Sequence, residues 1–288
     1  MTEYVGSGAM PDPLDVPVAG GTLRVAAWSG TGGPVLAIHG ITSSSRTWPF
    51  LAEALDRPVF APDLRGRGRS NHLPGPAGIA RHAADCAAVV EATGGVPLVV
   101  VGHSMGGFVA TVLAARRPDL VRGLVLVDGG LPFPRVDEAA TIAGLQPIKD
   151  RLQSTYTRES YRDWFRNHPA FARDWTPEAE EYADYDLPES PGRPSADPEI
   201  VEADQVDMVQ GSDFLEALDK PMPPRVFLHA SRGIADDPQG LYPKPTVDEY
   251  AARWPDLDIR PVPDVNHYTI VLSGRGAAAI AQAVQDLG

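Results

Sequence analysis

Four short apolar runs, each closing on turn residues and each separated from the next by a helical stretch, leave this chain few folds to adopt. The runs are Val35–Ile38 before His39-Gly40, Pro58–Ala61 before Pro62-Asp63, Leu98–Val101 before Gly102, and Leu124–Val127 before Asp128-Gly129-Gly130. Continuous apolar runs bounded in this way suit strands buried on both faces. Between them, residues 48–55, Ile79–Ala92 and Phe108–Arg116 read as helices, with Ile79, Ala83, Cys86, Val89 and Val90 near helical spacing. Strand and helix in alternation predict a parallel sheet covered on both sides. The same texture returns late in the chain: strands at Arg225–His229 and Leu257–Val262, a short helix at Val247–Arg253, and an Ala-rich helix at Gly276–Leu287.

The middle of the chain has a different texture. It carries most of the aromatic residues, among them Tyr161, Trp164, Phe165, Phe171, Trp175 and Tyr182, together with many acids. Pro147, Pro169, Pro177 and the stretch from Pro188 to Pro198 break its helical pattern, and no strand-like run occurs. It reads as a helical insertion, with Pro188–Ser195 as an exposed loop. The expected organisation is a core of residues 1–132 and 221–288, interrupted by a helical lid at 133–220.

Composition removes several function classes. Of 288 residues, 25 are Lys or Arg and 38 are Asp or Glu, a formal net charge of −13. A nucleic-acid binder needs a basic face, so no nucleic-acid partner is expected. Arg65, Arg67 and Arg69 are too few to make one. One cysteine, Cys86, excludes an intrachain disulfide and Cys-rich zinc modules, and it reads as a buried helix residue. Met1–Pro17 lacks the basic-then-apolar pattern of a secretory signal, and no window is long and apolar enough to span a bilayer. A cytoplasmic protein with no membrane partner is the expectation. Oligomeric state has no signature here.

The chemistry centres on Gly102-His-Ser-Met-Gly106, which fits G-x-S-x-G. It follows an apolar strand and precedes a helix, the context this motif requires. A sharp strand-to-helix turn lifts the Ser104 hydroxyl above the sheet, and the glycines let two backbones pass closely. The helix beginning there aims free N–H groups at developing negative charge. After Val35–Ile38 comes a second Gly turn, so Ile41 and Met105 are placed to offer two backbone N–H groups as an oxyanion hole. His39 reads as a structural histidine that holds its loop. His103 reads as pointing away from Ser104. No phosphate-binding loop, dinucleotide fingerprint or His-rich metal motif occurs, so neither metal nor organic cofactor is expected.

These features together resemble the α/β-hydrolase superfamily: His39-Gly40, Asp63–Ser70, Gly102–Gly107 and Asn266-His267, in that order and spanning most of the chain. The resemblance implies a mostly parallel eight-stranded sheet with helices on both faces and a helical lid inserted after strand 6. Of the seven histidines, only His267 follows the last strand, which is the position of the family's general base. The acid is open between two places. Many relatives carry it after strand 7, where Gly233 falls at the position and Asp236 or Asp237 follow. Some branches carry it after strand 6, where Asp128 stands. Asp128 is preferred, because sites in open α/β sheets gather at carboxyl ends of strands. Asp264 reads as a loop acid.

The implied activity is hydrolysis of a small or medium hydrophobic carboxylic ester or lactone through an acyl-enzyme on Ser104. Thioester or carbon–carbon bond hydrolysis on the same residues, and a slow-turnover small-molecule receptor, are the alternatives. The lid aromatics serve equally as substrate contacts or as packing between lid and core.

Overall fold

A strand sends successive side chains to opposite faces, so an uninterrupted apolar run needs a packed layer on each side. The computed structural model describes residues 10–75, 77–132 and 145–288 and shows both layers. Eight strands form one sheet: β1 (Asp12–Val18), β2 (Gly21–Trp28), β3 (Val35–Ile38), β4 (Val59–Pro62), β5 (Leu98–His103), β6 (Val121–Val127), β7 (Arg225–Ala230) and β8 (Leu257–Val262). Their order is β1-β2-β4-β3-β5-β6-β7-β8. β1, β2 and β4 pair antiparallel, and every other pair is parallel.

Alternation decides which layer each side chain joins. Leu36, Ile38 and Val100 pack with α2 (Ile79–Ala92) and α3 (Met105–Arg116). Val35, Ala37, Val99 and Val101 pack against the opposite layer, with α1 (Pro49–Ala54) and the last helix. Each fully buried Val or Leu contributes about 1.5–3 kcal/mol relative to exposure. α3 is apolar all round and is buried along most of its length between the sheet and its neighbouring helices. Cys86 is buried within α2. No strand before Val35 is marked by an apolar run, because β1 and β2 alternate apolar with polar residues, as strands with one wet face do. Their usable signal is Leu14 and Val16 set against Val25 and Leu23 across Gly20-Gly21.

Five helices between β6 and β7 lie among the described residues: α4 (Gln146–Gln153), α5 (Arg158–Arg166), α6 (Pro177–Asp186), α7 (Pro198–Gln210) and α8 (Ser212–Leu218). Residues 133–144, where the expected lid begins, lie outside the described residues. Pro147, Pro177 and Pro198 sit in the first turns of their helices and start them instead of breaking them. Thr157, Thr176 and Asp197 cap three of these helices with side-chain acceptors. The expectation of an exposed Pro188–Ser195 loop needs correction at its end. Pro194 and Ser195 are buried. The Ser195 hydroxyl donates to Asp186 and accepts from the Gly68 amide. α8 lies on the α3 side of the sheet, with Phe214 and Phe108 ring centroids 4.5 Å apart. α9 (Lys244–Arg253) and α10 (Gly274–Asp286) complete the layers.

The Asp63–Ser70 segment joins the insertion to the sheet. Asp63 accepts from the Ser45 and Arg69 amides and from the Tyr185 hydroxyl of α6. Arg65 pairs with Asp85 through two hydrogen bonds of 3.0 Å. Arg67, fully buried, pairs with Asp204 of α7, which also accepts from His82 and from the Gly78 amide. Burial alone would raise the Asp204 carboxyl, yet His82 and Arg67 outweigh it and hold it well below the carboxylate range. Arg65 and Arg67 are structural. Replacing Asp204 with Ala strands the Arg67 charge, which predicts a loss of roughly 3–5 kcal/mol. Urea denaturation of D204A checks this, and an unchanged midpoint would contradict the buried pair.

Candidate active site

The order of the sheet reverses at β3 and β5, since the chain passes from β3 to β4 on one side and then to β5 on the other. Open α/β sheets bind ligands outside the carboxyl ends of the strands at such a point. Gly40 follows β3 and Ser104 follows β5. The turn at Ser104 is strained: φ is 53° and ψ −123°, a backbone rarely adopted by a residue with a side chain. Two close approaches enforce it. A Cβ on Gly106 would stand 2.1 Å from the Ile38 carbonyl oxygen, and one on Gly129 would stand 2.2 Å from that of Ser104. The elbow is thus wedged between the ends of β3 and β6.

Asp128 follows β6, is fully buried, and also has positive φ, 46°. One of its carboxylate oxygens accepts from the Ala230 amide at 3.0 Å. The other takes Nδ1 of His267 at 2.7 Å. An Nδ1–H donated to Asp128 leaves Nε2 of His267 with its lone pair. Ser104 and His267 line one cavity of about 40 Å³, together with Gly40 and Ile41. The alternatives lie elsewhere. Asp236 bonds Arg232 and Asn266, Asp237 accepts from the Ala235 amide, and neither contacts His267. Asp264 is exposed on its loop.

Several neighbours hold this geometry. The His39 ring is fully buried; its Nδ1 donates to the Gly40 carbonyl at 2.7 Å and its Nε2 accepts from the Leu64 amide at 2.9 Å. It ties the exits of β3 and β4 together, the structural role its position indicates. Arg67 Nε donates to the Ile41 carbonyl at 2.9 Å, so the buried Arg67–Asp204 pair also fixes the loop over the cavity. Met105 begins α3 and is buried beside the elbow. His103 departs from expectation. Its side chain does not point away but lies against His267, with ring centroids 4.7 Å apart, and its Nε2–H donates to the His267 carbonyl at 2.8 Å. Burial, then the neighbouring His267, push its pKa well below the ordinary histidine value, so it stays neutral. The sequence holds no signal for this contact, because the two residues are 164 positions apart.

Asn266 organises the loop of His267. Its side-chain oxygen accepts from the Tyr268 and Thr269 amides, and its nitrogen donates to the Ala170 carbonyl and to Asp236. Asp236 therefore supports the loop through Asn266 and does not face the imidazole. The insertion aromatics Tyr161, Phe165, Phe171 and Tyr182 pack with the sheet layer. Among them only Tyr182 lines the cavity beside Ser104. Among the described residues no cluster of His, Cys, Asp and Glu could hold a metal ion, and no helix is long and apolar enough to cross a membrane.

Comparison with known proteins agrees with this architecture. A profile described as the alpha/beta hydrolase family matches residues 35–283. Lipase LipV of Mycobacterium tuberculosis is 49% identical over 102 residues, 34% of this chain and 39% of that protein. A serine hydrolase-like protein of Danio rerio is 39% identical over 145 residues, 48% of this chain and 44% of that protein. The chain thus spans less than half the length of the curated relatives it matches. The crystal structure of E-2-(acetamidomethylene)succinate hydrolase superposes with a TM-score of 0.77, covering 96% of this chain and 99% of that one at 22% identity, a likeness of fold.

The buried histidines set an acid limit. His39 has its pKa pushed down to about 3 by burial. An unfolded histidine titrates near 6.5, so between those values only the unfolded state takes up the proton. Stability is then full above about pH 6.5 and falls as pH drops toward 3, by about 1.4 kcal/mol per pH unit for one such group. Urea titrations from pH 7 to pH 4 should give a steeper fall for the native chain than for His39→Gln, whose neutral side chain takes up no proton. Parallel slopes would show that His39 is not held neutral.

Proposed function

The chain belongs to the α/β-hydrolase family, and we propose on that basis that it is a serine hydrolase cleaving a small or medium hydrophobic carboxylic ester or lactone. The observation that carries this reading is the buried Asp128–His267 hydrogen bond of 2.7 Å beside Ser104, with His267 and Ser104 lining the same cavity. The lipase and serine hydrolase-like names of the relatives favour the same class of bond.

In this mechanism the Ser104 hydroxyl attacks the acyl carbon while His267 Nε2 takes its proton. Asp128 holds the Nδ1–H tautomer and stabilises the imidazolium as it forms. The carbonyl oxygen becomes an oxyanion facing the amides of Ile41 and Met105, each such donor being worth about 3–4 kcal/mol in related sites. His267 then gives its proton to the leaving alcohol, which departs and leaves the acyl group on Ser104. Water enters, gives a proton to His267 and attacks the acyl carbon; as the bond to Ser104 breaks, His267 returns that proton to the Ser104 oxygen and the acid leaves. His103, held neutral against the same imidazole, adds no second positive charge when His267 protonates.

Intact-mass spectrometry after exposure to a small fluorophosphonate tests the nucleophile. One adduct is expected on the native chain and none on Ser104→Ala; labelling of the variant, or of neither, would reject Ser104. Asp128→Asn should lower kcat by roughly 10⁴ while the fold persists, by analogy with other triad acids. Asp236→Asn should lower it far less, and the reverse ranking would move the acid to the β7 loop.

A further inference from the structure

One wall of the cavity beside Ser104 has two sources. Ser43 and Thr47 come from the loop after β3, and Tyr182 comes from α6 of the insertion. The Ser43 and Thr47 hydroxyls are hydrogen-bonded to each other. Thr47 Oγ1 donates to the Ser44 carbonyl at 2.9 Å, and a carbonyl can only accept. Thr47 has one proton, so the short bond between Thr47 and Ser43 must be donated by Ser43. The Ser43 and Thr47 protons are thus committed within the loop. The Tyr182 side chain lines the cavity beside them.

The wall is also held in place from behind. Tyr182 is 4% exposed. One turn further along α6, the Tyr185 hydroxyl donates to buried Asp63 at 2.6 Å, and Arg46 stacks over the Tyr185 ring. The opposite side of the cavity is apolar: Val271 and Leu272, both 2% exposed, from the loop after His267. Among the described residues no Lys or Arg lines it. About 40 Å³ admits on the order of one to three water-sized groups.

From this enclosure we propose that the site takes a short, uncharged acyl group of about two or three carbons, and that Tyr182 is the residue that sets the length limit. The proposal rests on the hydrolase reading above and narrows its substrate class. The acyl chain lies between Tyr182 and Leu272, and a longer chain collides with a wall that hydrogen bonds hold rigid. An acyl carboxylate would meet no Lys or Arg among the described lining residues.

Steady-state kcat/KM of the full chain on p-nitrophenyl acetate, butanoate and octanoate tests this, alongside fluorophosphonate labelling of Ser104. The native chain should lose at least about tenfold from acetate to octanoate. Tyr182→Ala should raise the octanoate-to-acetate ratio by about tenfold or more. Leu272→Ala opens the same space from the other side and should shift the ratio in the same direction, which keeps the test intact should Tyr182→Ala not fold. A change in this ratio separates a length limit from a general loss of stability, which would lower all three esters together. Octanoate cleaved as well as acetate by a chain that labels at Ser104, or a ratio unmoved in the folded variants, would overturn the length limit alone. Absence of both labelling and turnover on all three esters would instead overturn the hydrolase reading.

Discussion

At Ser104 the backbone turns with no room on either flank, and the arrangement of the site follows from that contact. The carbonyl of Ile38 presses on Gly106 and the carbonyl of Ser104 presses on Gly129. Side chains at those glycines would force β3, β5 and β6 apart. With the strands together, the residues that follow them are delivered to one place: Gly40 and Ile41 from β3, Ser104 from β5, Asp128 from β6. The strain at Ser104 persists because two neighbouring strand ends over-determine it. Its φ of 53° is a product of packing, and the G-x-S-x-G pattern is the set of residues that packing permits.

A second constraint runs outward from the same place. Arg67 holds the carbonyl of Ile41 and pairs with Asp204 of α7, so the loop over the cavity and the insertion share one buried cation. Tyr185 of α6 binds Asp63. Asn266 reaches Ala170 of the insertion from the loop of His267. The helices between β6 and β7 are therefore tied to three separate parts of the site by polar groups withdrawn from water. Such groups are costly to leave unpaired, and this makes the insertion a fixed wall of the cavity.

The core was readable because its runs are long enough to bury and short enough to be strands. β3, β5, β6 and the helices α2 and α3 stand out in the sequence for that reason, as do the last two strands. The hairpin β1–β2 did not, since a strand with one wet face carries only alternation, which polar loops can mimic over a few residues. In the insertion, Pro177 and Pro198 look like breaks but begin helices, because proline is tolerated where the first amides have no intrahelical partner. Ser195 looks like loop surface but is buried, because it fills a gap between Asp186 and Gly68 that only the folded chain creates.

By itself, the sequence determined the strand–helix alternation, the elbow at Ser104, the position of His267 after the last strand and the family resemblance. Each of these is written in neighbouring residues, where local sterics and hydrophobic periodicity act. Tertiary structure decided what depends on distant segments meeting. It set Asp128 on the His267 ring and turned Asp236 toward Asn266. It laid His103 against an imidazole 164 residues away. It also placed a tyrosine from the insertion in the cavity wall. Hydrogen bonds and packing between segments far apart in the chain leave no local pattern, and only the shared geometry of the fold selects among residues that look equivalent in line.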